Sequence, residues 1–309
     1  MNVSVVIPVY NSGPILPDLV ARLGPVLEAH YGAYELVFVN DGSRDDSWDV
    51  IQGLVRGSSW IRGVNLMRNY GQHNALLCGI RLARHEVVVT MDDDLQHPPE
   101  EIPKLTARLE EGFDVVYGPP LRQQHGLLRD MASFITKASI QATINVETAR
   151  MVSAFRAFRT QVRNAFADYK GSFVSLDVLL TWGSTRFSAV PVRHDPRSQG
   201  ESNYTLWKLV THAANMITGF SPVPLQIASV LGFLFTLFGL VILIYVVANY
   251  LVHGGSVPGF SFLACIIAIF SGVQLLMLGV FGEYLARVHF RTMDRPSSSI
   301  REIIGPEGP

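Results

Sequence analysis

The sequence predicts an α/β domain built on a mostly parallel sheet, followed by a hairpin of two membrane-spanning helices. Three observations lead to this prediction. Short apolar runs alternate with helical patterns in the first part of the chain, and polar residues collect where those runs end. Residues 209–282 contain no Asp, Glu, Lys or Arg, although 17% of the whole chain is charged.

The sheet is predicted from five short runs that are apolar or rich in Val and Ile. They lie at 3–7, 35–39, 62–67, 86–90 and 113–117, and helical patterns occupy 14–30, 44–56, 71–84 and 99–111. Such an alternation of strands and helices is typical of a parallel α/β sheet. Ligands of these sheets bind outside the carboxyl ends of the strands, which is where Tyr10, Asp41 and Asp92 stand.

The membrane hairpin is predicted from two uncharged runs, 225–251 and 260–282. Each is longer than the roughly 20 residues that cross a bilayer as a helix. A pair of helices buried in a soluble core is the alternative. The break at 252–259 is short and rich in Gly and Pro, so the two helices should form a hairpin whose two outer ends lie on one side of the membrane.

The orientation follows from basic residues, which flank the hairpin and are missing from its connecting loop. They are Arg193, Arg197, Lys208, Arg287, Arg291 and Arg295. The positive-inside bias therefore predicts a multi-pass protein of the inner, or plasma, membrane with a cytoplasmic domain 1–204, an external loop 252–259 and a cytoplasmic tail 283–309. Residues 205–224 suggest an amphipathic helix on the membrane surface, and a helix packed on the domain is the alternative.

Several functional classes lack their motifs. The formal net charge of −1 gives no electrostatic basis for binding nucleic acid. No Gly-x-Gly-x-x-Gly follows a strand, and Walker-type, His-Glu-x-x-His and Gly-x-Ser-x-Gly motifs are absent. The chain offers carboxylates without an evident covalent nucleophile, a combination that suits a divalent cation with oxygen ligands.

The carboxylates of interest are Asp92, Asp93 and Asp94, at the end of a predicted strand. A solvated turn or the start of the next helix would also explain three acids here. Because side chains alternate along a strand, Asp92 and Asp94 point the same way and would repel each other without a cation between them.

Five segments, taken in chain order, resemble family 2 glycosyltransferases. They are Val5 to Asn11, Val39 to Ser43 with Asp45, Arg68 to Gly71, Met91 to Glu101, and Arg197 to Tyr204 ahead of the two-helix anchor. The resemblance covers nearly the whole chain. It is strongest to the polyprenyl-phosphate branch, relatives of dolichol-phosphate mannose synthase that include bacterial enzymes loading undecaprenyl phosphate.

The resemblance implies a GT-A fold for nucleotide-diphosphate sugars. Pro8, Tyr10, Asn11 and Asp41 would line the nucleoside pocket, while Arg68, Asn74, Asp92 and Asp93 would complete the nucleotide-sugar site. Asp94, with Asp92, would bind Mg²⁺ or Mn²⁺ on the diphosphate. Asp93 replaces a residue that is often small in the family and should point away from the metal.

On the acceptor side, the sequence departs from relatives that have an acid just before a Phe-Arg pair, because Ala154 precedes Phe155 here. A phosphate monoester is largely dianionic at neutral pH and needs no such base. Cations and a hydroxyl could hold it, and the candidates are Arg122, Arg129, Lys137, Arg156, Arg197 and Ser202. A solvated or headgroup-facing charge is the alternative for each. Arg197 and Ser202 match the family segment, so Asp92, Asp94 and Arg197 form the predicted catalytic set.

The predicted function is inverting transfer of a sugar, most simply from a UDP-sugar, to polyprenyl phosphate for cell-envelope glycan or glycolipid modification. A processive polysaccharide synthase of the same fold would need more helices and a Gln-x-x-Arg-Trp motif, which the sequence lacks. A catalytically idle membrane scaffold or flippase partner is the alternative outside enzymes. Small residues in the hairpin, such as Gly232 and Gly239, permit close helix packing, and the family resemblance implies a homo-oligomer.

Overall fold

The computed structural model describes residues 1–121, 152–171, 174–195, 223–253, 260–293 and 295–306. Its first part alternates strands and helices as predicted. The elements are β1 (Val3–Val9), α1 (Leu16–His30), β2 (Tyr34–Asn40), α2 (Ser47–Gly57), β3 (Ile61–Leu66), α3 (Gln72–Leu82), β4 (Val87–Thr90), α4 (Ile102–Glu110) and β5 (Val115–Tyr117). Short 3₁₀ turns precede α1 and α4. The predicted runs and helices are therefore confirmed to within a few residues.

Three more strands, β6 (Arg156–Arg159), β7 (Phe187–Ala189) and β8 (Ile300–Ile304), complete the described sheet. The sheet is mixed, and its strand order is β7-β5-β6-β4-β1-β2-β3-β8. The central strands β4, β1, β2 and β3 are parallel. The antiparallel neighbours are β6, beside β4 and β5, and β8, beside β3. Between them in the chain lie a 3₁₀ helix (Thr160–Phe166), α5 (Leu176–Gly183) and β7, which is parallel to β5.

Helices cover both faces of the sheet, which explains why a central strand such as β1 is buried along its whole length. On one face Val5 and Ile7 of β1 belong to a core with α1, α2 and α4. On the other face Val6 packs in a core with α3 and α5. Gly79 of α3 permits the close approach, since a Cβ there would lie 2.9 Å from the Val39 side chain.

Two long apolar helices follow, α6 (Val223–His253) and α7 (Phe260–Thr292), as predicted. Both contain a stretch long and apolar enough to cross a membrane, and neither stretch is buried in the protein. Helix α7 continues ten residues past the predicted end at 282, and its last turns carry a Glu283–Arg287 ion pair of 2.9 Å. Of the interfacial segment only 223–224 is described, and 254–259 of the predicted external loop lie outside the described residues.

Part of the predicted tail 283–309 belongs to the sheet. Strand β8 pairs with β3, and the Met67 N–H donates to the Ser299 carbonyl at 2.9 Å. Gly63 of β3 leaves room for the Ile304 side chain, since a Cβ there would lie 2.9 Å from it and 2.8 Å from Ile51. An apolar contact with the core and a row of backbone hydrogen bonds thus hold this segment on the domain.

Candidate active site

The predicted site residues meet at one edge of the sheet. Tyr10 and Asn11 follow β1, Asp41 follows β2, and Asp92 to Asp94 follow β4. Strands β4, β1 and β2 are adjacent and parallel, so their carboxyl ends lie side by side. This places the predicted carboxylates and the β1 loop around one opening.

Asn11 links the loops that follow β1 and β2. Its N–H donates to Ser43 Oγ at 3.0 Å, and its Oδ1 accepts from the Arg44 N–H at 2.8 Å. Its φ of 53° lies in the left-handed region that Asn tolerates better than most residues. Tyr10 beside it is 43% exposed and available for stacking. Pro8 is buried within β1, and its predicted contact with the nucleoside stays a prediction.

Asp41 is buried and holds the loop that precedes α3. Its two carboxylate oxygens accept the N–H groups of Tyr70 and Gly71 at 2.7 and 2.8 Å. Burial raises the pKa of Asp41, and the two hydrogen bonds oppose that shift. Gly42 is needed next to it, since a Cβ there would lie 2.5 Å from the Asn69 nitrogen. Asp41 therefore fixes the shape of this loop, and its predicted contact with base or ribose stays a prediction.

The same loop carries Arg68 on the surface. Its guanidinium carbon lies 4.6 Å from the centre of the Tyr70 ring, a cation–π distance. Asn74, from the first turn of α3, donates to the Tyr70 carbonyl at 2.7 Å and is itself buried. Asn74 thus supports the loop from below, while Arg68 remains an exposed cation beside the opening.

Asp92 and Asp94 are partly buried at the end of β4. Gln72 Nε2 donates to Asp92 Oδ1 at 2.6 Å and so connects the start of α3 to this loop. Asp94 Oδ1 accepts the Gln96 N–H at 3.1 Å, which closes a local turn. Sequence reasoning missed Gln72, although a polar residue directly after Tyr70-Gly71 at a helix start was the available signal.

Asp93 faces the β1 loop. Its carboxyl group is hydrogen-bonded by the Ser12 side chain and the Tyr10 backbone, and burial raises its pKa while nearby Asp94 raises it further. Asp93 therefore braces the loop that presents Tyr10.

Arg156 was predicted as an acceptor-phosphate ligand, and the structure corrects this. Its side chain is 2% exposed and forms an ion pair with Asp177 at the start of α5. Tyr117 donates to the same carboxylate at 3.1 Å, and burial together with Asp177 raises its pKa well above the usual value. A buried and paired guanidinium is not available to a lipid headgroup. Asp177 is 21 positions from Arg156 in the chain, so no local sequence pattern predicts this ion pair.

The remaining acceptor candidates lie outside the described residues. They are Arg122, Arg129, Lys137, Arg197 and Ser202. The described chain stops at 195, where the Asp195 N–H donates to the Gln96 carbonyl at 2.9 Å. Arg197 is therefore two residues from a point fixed beside the Asp94 loop.

Comparison with known proteins gives a consistent result. The family model described as "Glycosyl transferase family 2" matches residues 4–166. The undecaprenyl-phosphate 4-deoxy-4-formamido-L-arabinose transferase of Shewanella sediminis (strain HAW-EB3) is 33% identical over 305 residues, covering 98% of this chain and 92% of the relative. The enzyme of the same name from Pseudomonas syringae pv. syringae (strain B728a) is 33% identical over 310 residues, covering 99% and 92%.

Among solved structures, glucosyl-3-phosphoglycerate synthase from Mycobacterium tuberculosis, in complex with Mn²⁺, UDP-glucose and phosphoglyceric acid, has a similar fold. The TM-score is 0.54 at 18% identity, and the match covers 70% of this chain and 77% of that chain. At this identity the likeness concerns the fold, and it confirms the predicted GT-A architecture.

Proposed function

The chain belongs to glycosyl transferase family 2, and from this we infer that it transfers a sugar from a nucleotide-diphosphate sugar to undecaprenyl phosphate. The observation that carries the proposal is the similarity to undecaprenyl-phosphate sugar transferases along 98% of the chain, through both the α/β domain and the two apolar helices. A polyprenyl phosphate is an acceptor that resides in a membrane, so a catalytic domain joined to membrane helices suits it.

The reaction we propose is a single displacement. A phosphate oxygen of the lipid attacks the anomeric carbon, the bond from that carbon to the diphosphate breaks, and the nucleoside diphosphate leaves. The configuration at the anomeric carbon inverts. The acceptor oxygen is already ionised at neutral pH, so the protein must position two anionic groups and offset their charge.

For the donor we propose a UDP-sugar, in line with the UDP-glucose held by the solved structure of the same fold. Tyr10 is exposed beside the opening and offers a ring for stacking on the base. Arg68 is an exposed cation on the neighbouring loop and suits the diphosphate. These two loops are supported by the buried or partly buried side chains of Asp41, Asp93 and Asn74. We propose that these three residues also contact the nucleotide.

The site residues fit Mg²⁺ or Mn²⁺. Asp92 and Asp94 are hard oxygen donors just after β4. Among the described residues, no group of three or more His, Cys, Asp or Glu could hold a metal ion. Two carboxylates, with diphosphate oxygens and water as further ligands, are a usual set for Mg²⁺. When bound, the cation would offset the charge that develops on the leaving diphosphate.

For the acceptor we propose Arg197 as the phosphate ligand, together with the Ser202 hydroxyl. Asp195, two positions before Arg197 in the chain, is bound to the Gln96 carbonyl in the Asp94 loop, and this supports the choice of Arg197. A guanidinium can bind phosphate with two parallel hydrogen bonds. Arg122, Arg129 and Lys137 are further candidates. We also propose that the domain is cytoplasmic, that the hairpin crosses the inner membrane, and that the protein is a homo-oligomer.

The experiment that tests the function uses the purified full chain in nanodiscs with undecaprenyl phosphate, Mn²⁺ and a panel of UDP-, GDP- and dTDP-sugars. Mass spectrometry of the extracted lipid should show one sugar-phosphate lipid. Asp94→Asn should abolish its formation, while Asp49→Asn, which changes an exposed carboxylate on α2, should not. No glycolipid from any donor would contradict the function, and full activity of Asp94→Asn in EDTA would contradict the metal assignment.

A further inference from the structure

The segment that leads to Arg197 is fastened at two points along its backbone. The Val192 N–H donates to the Pro119 carbonyl at 2.9 Å, just beyond β5. Three residues later, the Asp195 N–H donates to the Gln96 carbonyl at 2.9 Å, in the loop that follows β4. The segment thus crosses from the end of β5 to the loop that carries Asp94.

Between these points, His194 contacts the protein interior through an aromatic stack. Its ring packs edge-on against His97, with centroids 5.1 Å apart and an interplanar angle of 76°. His97 is 7% exposed and stacks on Phe155, which is fully buried, at 5.3 Å and 24°. Among the described residues, Nδ1 of His97 has no hydrogen-bond partner. The ring of His97 therefore acts as a spacer between the core and His194.

The ion pairs around this stack are weaker restraints. Arg193 pairs with Asp195 at 3.1 Å, and Arg22 pairs with Glu100 at 3.0 Å and approaches Asp195 at 3.8 Å. These side chains are a third or more exposed, and exposed pairs contribute about 0–1 kcal/mol. The ring contact of His194, joined to the backbone bond of the next residue, is the more specific restraint.

We propose that His194 is a positioning residue for the acceptor side of the reaction: its ring contact with His97 holds segment 192–195, from which the chain continues to Arg197, on the loop after β4 that carries Asp94. This inference rests on the proposed function, since it assigns the segment to the lipid phosphate. Without the His194 contact, segment 192–195 would be held less firmly on the Asp94 loop, and ordering it when the lipid phosphate binds would cost part of the binding free energy.

The test compares His194→Ala, which removes the ring, with His194→Phe, which keeps an aromatic edge. His30→Ala is the matched control, because His30 is also exposed and lies near the end of α1, away from the site. An aromatic pair of this kind corresponds to about a 2- to 12-fold change in an equilibrium. His194→Ala should raise the KM for undecaprenyl phosphate by that factor and leave calorimetric binding of UDP with Mn²⁺ unchanged. His194→Phe should restore most of the loss.

A second readout does not depend on activity. Hydrogen exchange of the Asp195 amide should speed up by a similar factor in His194→Ala, and both His194→Phe and His30→Ala should keep the wild-type rate. If the wild type forms no glycolipid, the proposed function fails and the exchange rates alone decide the positioning role. The proposal would be overturned if His194→Ala changed neither the exchange rate nor the KM for undecaprenyl phosphate. It would also be overturned if His194→Ala weakened UDP binding by the same factor by which it raised that KM.

Discussion

The buried imidazole of His97 should make the stability of the domain depend on pH. Burial, with smaller effects from the neighbouring His194 and Arg156, lowers the pKa of His97 from 6.5 to about 4. The folded state therefore keeps the ring neutral between these two values, while the unfolded chain takes up a proton. The contribution of His97 to the free energy of unfolding is fully present above pH 6.5 and is lost as the pH drops towards 4.

The size of the effect follows from the shift. A difference of one pKa unit corresponds to 1.36 kcal/mol, so the full shift amounts to about 3 kcal/mol, of which about 2 kcal/mol appears between pH 7.5 and pH 5. The raised pKa values of Asp41 and Asp93 act in the opposite direction, because the folded state binds those protons more readily. A comparison of variants is therefore needed to isolate the contribution of His97.

The variant for this comparison is His97→Phe, which keeps a ring on Phe155 and cannot be protonated. Free energies of unfolding from denaturant titrations at pH 7.5, 6 and 5 would be compared with the wild type, with His30→Phe as the control for an exposed histidine. We expect His97→Phe to gain about 2 kcal/mol relative to the wild type on going from pH 7.5 to pH 5. Parallel pH profiles for the wild type and His97→Phe would refute the reasoning.

Four further outcomes are expected. Gly42→Ala should weaken UDP binding and lower the melting temperature, because its φ of 66° and the nearby Asn69 nitrogen leave no room for a Cβ; normal binding would contradict the close approach. Asp177→Ala should cost about 3–5 kcal/mol in denaturant unfolding, because it leaves its buried arginine partner unpaired; a loss below 1 kcal/mol would mean that the pair is solvated. A reporter at Gly255 should be accessible only from outside the cell, and cytoplasmic accessibility would reverse the proposed orientation. Arg197→Ala should raise the KM for undecaprenyl phosphate with little change in donor binding and Arg197→Lys should recover part of it, whereas weakened donor binding alone would move Arg197 to the nucleotide side.

Sequence patterns predicted the elements that are stabilised by continuous burial. Strands β1 to β5 and the helices between them are marked by apolar runs, and the two membrane helices by their lack of charge. Strand β6 escaped prediction because its four residues, Arg-Ala-Phe-Arg, show no apolar run, and its stability comes from pairing with β4 and β5. Strand β8 was missed for a related reason: it follows a membrane helix and has only the edge of β3 as its partner.

At the site, the sequence predicted which residues gather but not what each one contacts. The ends of β1, β2 and β4 had to meet once the sheet was parallel, so Tyr10, Asp41 and Asp92 were placed correctly at one edge. Their hydrogen-bond partners are distant in the chain. Asp41 accepts a hydrogen bond from the loop before α3, and Asp92 accepts one from Gln72. Such pairings depend on tertiary packing, which explains why the sequence predicts Arg156 as an acceptor-phosphate ligand although its partner in the structure is the buried Asp177.

The place where the chain returns from the membrane supports a site that faces the lipid. Helix α7 ends at Thr292, and Ser299 accepts a backbone hydrogen bond from Met67, directly after the carboxyl end of β3. Thr292 and Ser299 are seven positions apart in the chain, so they lie at most about 25 Å from each other. The carboxyl end of β3 belongs to the same edge of the sheet as Asp92, and strands about 4.8 Å apart place β4 only about 15 Å from β3. The chain that leaves α7 thus joins the domain at the edge that holds the carboxylates, and this supports the proposal that the acceptor phosphate approaches from that edge.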